Sequence, residues 1–280
     1  KLVLDGCNLE VEQQSIFGLV GINGAGKSTL LRLIAGVQQA DAGNVTLNDV
    51  DTFTSAEVRE QIVFLSDEHY FTQGSNIKSL KTFYESFYKL DQAAYNKYLN
   101  LFKLDPELNL SNFSKGMKRQ TVLLFALSIH PKLLLLDEAF DGLDPLVRLQ
   151  VKRALTDLLE EYHSTVIISS HNLKELEDIC DSFGILADGK IATHGDLIEN
   201  KSLINKYQLA FTEEKSEADF QHFEVMKFDK VGQVYTLVIR GDSEDTEAQL
   251  RLMNPLICNV LSINFEEMFI YEVENRGLLK

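Results

Sequence analysis

Long hydrophobic runs are missing from this chain of 280 residues. Nothing approaches the ~18 consecutive uncharged apolar positions that a membrane-spanning helix needs. The apolar runs that are present, Leu133–Leu136 and Val166–Ile168 among them, are far shorter and strand-sized. The opening segment, Lys1 to Glu10, lacks the apolar stretch of a secretory signal. Cysteine is scarce: Cys7, Cys180 and Cys258 are odd in number, widely spaced and form no CxxC pair. That excludes a disulfide framework and the common zinc patterns, and leaves free thiols in a reducing cytoplasm as the expectation. Positive charge is also short. The 27 Lys and Arg against 42 Asp and Glu leave a net charge of −15, which argues against a protein built around a nucleic-acid surface.

What is present is an ordinary globular mixture, 45% hydrophobic and 25% charged, long enough for one large or two ordinary domains. Strand and helix signals alternate up to about residue 200. Ser15–Val20 is an apolar strand that runs into a glycine cluster, Gly21 to Gly26. A helix follows, with Leu30, Leu31, Ile34 and Ala35 apolar, and closes at Gly36. Ile62–Leu65, Leu133–Leu136 and Val166–Ser170 read as further buried strands. Leu146–Tyr162 and Leu173–Ile179 read as helices. This alternation predicts a parallel sheet covered by helices. It is interrupted between about residues 68 and 130, where the spacing predicts a helix from Ile77 to Leu104 and another from Met117 to Ile129. That stretch is expected to be a helical subdomain inserted in the sheet.

Beyond residue 200 the texture changes. Thr212 to Asp219 is acidic and expected to be exposed. Phe223–Phe228 and Val234–Arg240 predict a hairpin through residues 229–233, a helix starts near Ser243, and Leu256–Ile263 reads as a strand. Phe265, Met268, Phe269 and Val273 line one face of a last helix that ends near Gly277 and must cover something. The expected organisation is an α/β domain over residues 1–205 and a small α+β unit over residues 206–280.

The chemistry starts at Gly21-Ile-Asn-Gly-Ala-Gly-Lys-Ser28, which fits G-x-x-x-x-G-K-[ST] with a strand before it and a helix after it. Glycines let the backbone turn its N–H groups inward around phosphate oxygens, and the helix N-terminus adds partial positive charge. Gly21, Asn23, Gly24, Ala25, Gly26, Lys27, Ser28 and Thr29 are therefore the expected nucleotide-binding residues. Lys27 reaches the β/γ-phosphates and the Ser28 hydroxyl ligates Mg²⁺. The fold class that follows is an α/β P-loop NTPase sheet. Leu133–Leu136 leads into Asp137 and Glu138, and a strand's C-terminal end faces the ligand crevice in such a sheet. Asp137 is placed to hold Mg²⁺ through water, and Glu138 to orient or deprotonate an attacking water. His171, at the end of Val166–Ser170, is a candidate sensor of the γ-phosphate.

These residues resemble a family. Asn112-Phe-Ser-Lys-Gly-Met-Lys-Arg-Gln120 resembles the signature segment of ABC ATPases, usually Leu-Ser-Gly-Gly-Gln. Leu135-Leu-Asp-Glu-Ala-Phe-Asp-Gly-Leu-Asp-Pro145 resembles their Walker B strand and D-loop, and Ser169-Ser-His-Asn172 their switch-histidine loop. Phe183–Lys190 resembles the strand pair that follows. Order and spacing agree over about residues 1–200, and the remainder is similar to the tails of bacterial ABC-2-type exporter ATPases. Lys115 stands where the family has its first signature Gly and Met117 where it has Gln, a variant similar to ABC-2-type members. Asp67 occupies the usual Q-loop glutamine position, where a carboxylate can ligate Mg²⁺ or its water. The family's adenine-stacking aromatic normally lies upstream of Leu2, so a further N-terminal piece is expected.

The resemblance implies a cytoplasmic, Mg-dependent ATPase subunit of an ABC transporter, held at the inner face of the membrane by separate transmembrane subunits. Two copies, or this chain and a homologous ATPase subunit, would sandwich Mg-ATP, with Ser114 and Gly116 serving the nucleotide of the other copy. Tyr70 and Phe71, just past the Q-loop, are the expected contacts to the membrane subunits. The rival within the family is a soluble ABC ATPase acting on nucleic acid or ribosomes; such proteins usually carry a coiled-coil insertion or two ATPase units, and neither is visible in this sequence. A GTPase would want Asn-Lys-x-Asp, and the three Asn-Lys pairs, at Asn96, Asn200 and Asn205, all lack the aspartate.

Overall fold

The computed structural model describes residues 2–67 and 71–275. It divides into two compact units, residues 1–194 and 195–280. The first unit contains β1 (Ile16–Val20), α1 (Lys27–Ile34), the short pair β2 (Thr46–Leu47) and β3 (Val50–Asp51), α2 (Ala56–Arg59) and β4 (Ile62–Leu65). Three helices come next: α3 (Ile77–Glu85), α4 (Gln92–Leu101) and α5 (Lys115–Ile129). The unit continues with β5 (Leu133–Asp137), α6 (Pro145–Tyr162), β6 (Thr165–Ser169), α7 (Leu173–Glu177), β7 (Ser182–Ala187) and β8 (Lys190–Asp196), whose last residues cross into the second unit.

The main sheet has the order β4-β5-β6-β1-β7-β8, and its first five strands pair in parallel. Every residue of β1, β5 and β6 is buried, which is why these strands are continuous apolar runs rather than alternating ones. Phe17, Leu19, Leu133, Leu135 and Ile167 from the sheet meet Leu30 and Leu31 of α1 in one core. Each such side chain contributes roughly 1.5–3 kcal/mol by leaving water. The hairpin from β7 to β8 turns through Asp188 and Gly189, both at positive φ, the two-residue turn that the twist of paired strands favours.

The helical stretch differs from its sequence expectation. The helix expected over Ile77–Leu104 is two helices, because Asp91 accepts hydrogen bonds from the N–H groups of Ala93 and Ala94 and so starts a new one. The helix expected from Met117 starts at Lys115, capped by Ser114, whose Oγ accepts from Met117 N at 3.2 Å. From Arg119 to Ser128 every residue of α5 is buried, so it is the central helix of this part. The Phe125 ring stacks on Tyr84 of α3 with centroids 4.4 Å apart, and Tyr95 of α4 lies 5.9 Å from it.

The second unit continues with α8 (Leu197–Ser202), β9 (Ile204–Ala210), β10 (Glu224–Val231), β11 (Val234–Arg240), α9 (Ser243–Leu252), β12 (Ile257–Leu261) and α10 (Phe265–Asn275). Its antiparallel sheet has the order β10-β11-β9-β12. A boundary after residue 205 would cut β9, a strand bonded on both sides. The chain divides earlier because β9 supplies Tyr207 and Leu209 to a core shared with Tyr235, Leu237 and Leu250. The hairpin loop is shorter than the sequence suggests, only Gly232 and Gln233. Phe265, Met268 and Val273 of α10 are buried, and Lys206 of β9 holds Glu267 at 2.9 Å, so this helix covers its own sheet. The end expected near Gly277 lies outside the described residues.

Each unit has its own core, so a chain ended at Asp196 is expected to melt in one cooperative transition and to keep its nucleotide binding. Circular dichroism melting with a nucleotide titration checks this. A truncated chain without a transition would show that the first unit depends on the second.

Candidate functional site

The loop between β1 and α1 puts six glycine-cluster and helix residues around one cleft of about 390 Å³: Asn23, Gly24, Gly26, Lys27, Ser28 and Thr29. Val3, Asp67 and Glu138 complete its wall. Gly26 caps α1 at φ 110°, in the left-handed region that residues with a Cβ rarely adopt. Gly21 and Ala25 shape the loop from behind. Ala25 N donates to Ile22 O at 3.1 Å, and Gly21 O accepts from the Lys27 ammonium at 2.7 Å. Lys27 is buried. Burial pushes its ammonium below the usual lysine range, while the charges of Glu138 and Asp137 push the other way. The cation is thus folded onto its own loop, close to two acids.

The ends of β5 and β6 supply the rest. Asp137 is 2% exposed, and its Oδ1 accepts from Ser169 Oγ at 2.5 Å. Glu138 has φ 51°, a strained backbone for a residue with a long side chain, held by its N–H donating to Ser169 O at 3.0 Å. Its Oε2 lies 2.8 Å from His171 Nδ1 and accepts from His171 N at 3.3 Å. An ionised carboxylate only accepts, so the Nδ1 carries the proton in this pair. The histidine is more than half exposed, whereas Glu138 is mostly covered. All the acidic and hydroxyl groups that gather here are oxygen donors, Ser28 and Asp137 among them, which fits Mg²⁺.

Ser114 and Gly116 are not among the described residues that line this cleft. They sit at the start of α5 against the D-loop. A Cβ on Gly116 would meet Gly142 O at 2.7 Å, so glycine is needed for the close approach. Asp67 does line the cleft, with its Oδ1 bound to Arg119 at 2.8 Å. Phe71 is half-buried, and Tyr70 lies outside the described residues.

Comparison with known proteins decides the family. An ABC transporter family model matches residues 4–141. The ABC transporter ATP-binding protein YtrB of Bacillus subtilis is 31% identical over 269 residues, covering 96% of this chain and 92% of that protein. This chain belongs to the ABC transporter ATP-binding proteins. Two further relatives differ in direction by name. The methionine import ATP-binding protein MetN 2 of Listeria monocytogenes is 30% identical over 71% of this chain and 62% of its own. The Nod factor export ATP-binding protein I of Rhizobium etli is 32% identical over 71% of this chain and 66% of its own. A solved ATP-binding subunit of an ABC transporter superposes with a TM-score of 0.66 at 27% identity, covering 71% of this chain and 85% of that one. The chain is therefore an ATP-binding subunit of an ABC transporter, with the ATPase chemistry of that family. Among its described residues no helix is long and apolar enough to cross a membrane.

Three parts of this ABC ATPase site escaped sequence reading. Ser169 orients Asp137, and its one signal is a hydroxyl ending an apolar strand. Glu175 gathers Ser170 Oγ, Asn172 Nδ2 and, at 2.7 Å, Arg148, whose other branch reaches Leu143 O in the D-loop. Burial raises the Glu175 carboxyl, and Arg148 opposes that rise. This network ties the histidine loop to the D-loop. Arg119 is the third, a charge buried with the rest of α5 from Arg119 to Ser128.

Proposed function

We propose that this chain is the Mg-dependent, ATP-hydrolysing motor subunit of an exporter. The observation that carries the catalytic part is the convergence of Lys27, Ser28, Glu138 and the Glu138–His171 pair on one cleft. Lys27 leaves Gly21 O to bind the β/γ-phosphates. Ser28 and, through water, Asp137 would hold Mg²⁺, which neutralises phosphate charge when bound. Glu138 takes the proton of the attacking water. His171 holds that carboxylate through Nδ1, which makes Nε2 the ring atom available to the γ-phosphate.

Ser114 and Gly116, away from this cleft, are placed to serve the nucleotide of a second copy or of a homologous ATPase subunit. Closure of the two around ATP would supply the stroke. The variant signature Ser114-Lys115-Gly116-Met117, similar to that of ABC-2-type members, supports the outward direction.

Support for a membrane partner comes from a second cleft, of about 570 Å³, between α2, β4 and α3. Phe83 and Phe87 line it at 59% and 63% exposure, with Tyr84 and Tyr88 beside them. Exposed aromatics in a groove are the usual anchors of an interface, and these receive a helix of the transmembrane subunit. Because both rings are exposed, the double variant Phe83→Asp, Phe87→Asp is expected to bind ATP normally. It should no longer co-purify with co-expressed transmembrane subunits. Normal assembly of that variant would remove the groove from the interface.

A further inference from the structure

Arg119 sits in the second turn of α5 and is 1% exposed. Its Nη1 donates to Ser66 O at 3.2 Å and Asp137 O at 3.4 Å, and its Nη2 reaches Asp67 Oδ1 at 2.8 Å. Its Nε is buried without a partner among the described residues. One guanidinium thus gathers the C-terminal ends of β4 and β5, the two strands whose ends carry Asp67 and Asp137. Asp67 differs from its partner: its side chain is 49% exposed and stands in the wall of the nucleotide cleft with Lys27, Ser28 and Glu138.

The charge balance at the cleft makes this pair consequential. Asp137 and Glu138 already act on the single lysine of the loop. A bare Asp67 carboxylate would be a third acid facing an incoming triphosphate. Arg119 offsets it from behind, out of reach of solvent, where screening is weak. The same carboxylate faces the cleft into which a divalent cation would arrive with the nucleotide, and a hard cation prefers such an oxygen.

From this geometry we infer that Arg119 is a positioning residue that masks the charge of Asp67 toward the incoming nucleotide, and that a divalent cation in the cleft competes with Arg119 for that carboxylate. Release of Asp67 loosens the bolt between the strand ends and α5, the helix that begins at the signature serine. The cleft's cation content is thereby felt at the surface that Ser114 and Gly116 present. The inference rests on the reading of the cleft as the ATP site.

The test is a titration of fluorescent trinitrophenyl-ATP into wild type, Asp67→Asn, Arg119→Gln and the double variant. Each is measured once in EDTA and once in Mg²⁺, with melting curves as a check on folding. In EDTA, Arg119→Gln is expected to bind about tenfold more weakly, because Asp67 is unmasked, and Asp67→Asn about fivefold more tightly, because Arg119 is. The double variant should return to within about twofold of wild type. Magnesium should recover much of the loss in Arg119→Gln and have a smaller effect in Asp67→Asn than in wild type.

Two single variants that shift in the same direction, or a double variant no closer to wild type than Arg119→Gln, would overturn the inference. Losing one partner of such a pair strands a buried charge, and Arg119→Gln is the variant at risk of unfolding. If its melting curve shows that, Asp67→Asn decides alone, since its position is half exposed: no tightening in EDTA overturns the masking role. Wild type that binds no nucleotide would instead bring down the reading of the cleft as the ATP site, and the inference with it.

Discussion

Glu138→Gln is expected to bind ATP with near wild-type affinity and to release phosphate roughly 10²–10⁴-fold more slowly, the range for losing a general base. The substitution keeps the shape of the side chain. Its amide oxygen can still accept from His171 N, which sits 3.3 Å from the present carboxylate oxygen. What it cannot do is take a proton from water. The backbone at φ 51° is held by the bond from Glu138 N to Ser169 O, which does not involve the side chain, so the loop should stay as it is. Steady-state phosphate release with a parallel nucleotide titration separates the two effects. Because ATP stays intact in this variant, size-exclusion chromatography with Mg-ATP should also show a lasting dimer. A variant that runs as a monomer and hydrolyses at the wild-type rate would remove Glu138 from the base role.

Lys27→Ala is expected to lose ATP binding by roughly a hundredfold or more, the scale of a charge-assisted contact combined with the repulsion it leaves behind. Lys27 is the cation that Glu138 and Asp137 both act on, in a loop that contributes no other basic side chain. Without it, two acids face the phosphates with only backbone N–H groups and the helix terminus to offset them. Melting the variant without nucleotide separates loss of the site from loss of the fold. Among the described residues the Lys27 side chain contributes one hydrogen bond, to Gly21 O, so the fold should survive. Normal affinity in this variant would mean that the phosphates lie elsewhere.

On the proposed reading, the two variants test a binding half of the cleft on α1 and a hydrolytic half on β5 and β6.

Much of this site was legible in the sequence because its chemistry is local. The residues from Gly21 to Ser28 are contiguous, and their backbone geometry is dictated by glycines at φ 83° and 110° whatever the rest of the chain does. Asp137, Glu138 and His171 were legible for a related reason. Each follows a fully buried apolar run, and in a parallel sheet the ends of such runs converge on one edge. Other features were settled only when the chain folded. Arg119 and Asp67 are 52 residues apart, and no periodicity marks two such residues as partners. Phe83, Tyr84, Phe87 and Tyr88 recur at helical spacing along the sequence, yet packing against Phe125 covers Tyr84 and leaves the two phenylalanines in solvent. The boundary between the units also depended on tertiary pairing. β9 looks half polar along the chain and becomes a strand because β11 and β12 bond it from both sides. Local steric rules and burial patterns thus determined the glycine loop and the strand-end acids of the candidate site. Long-range pairing decided what covers each face and which distant charge stands behind the cleft.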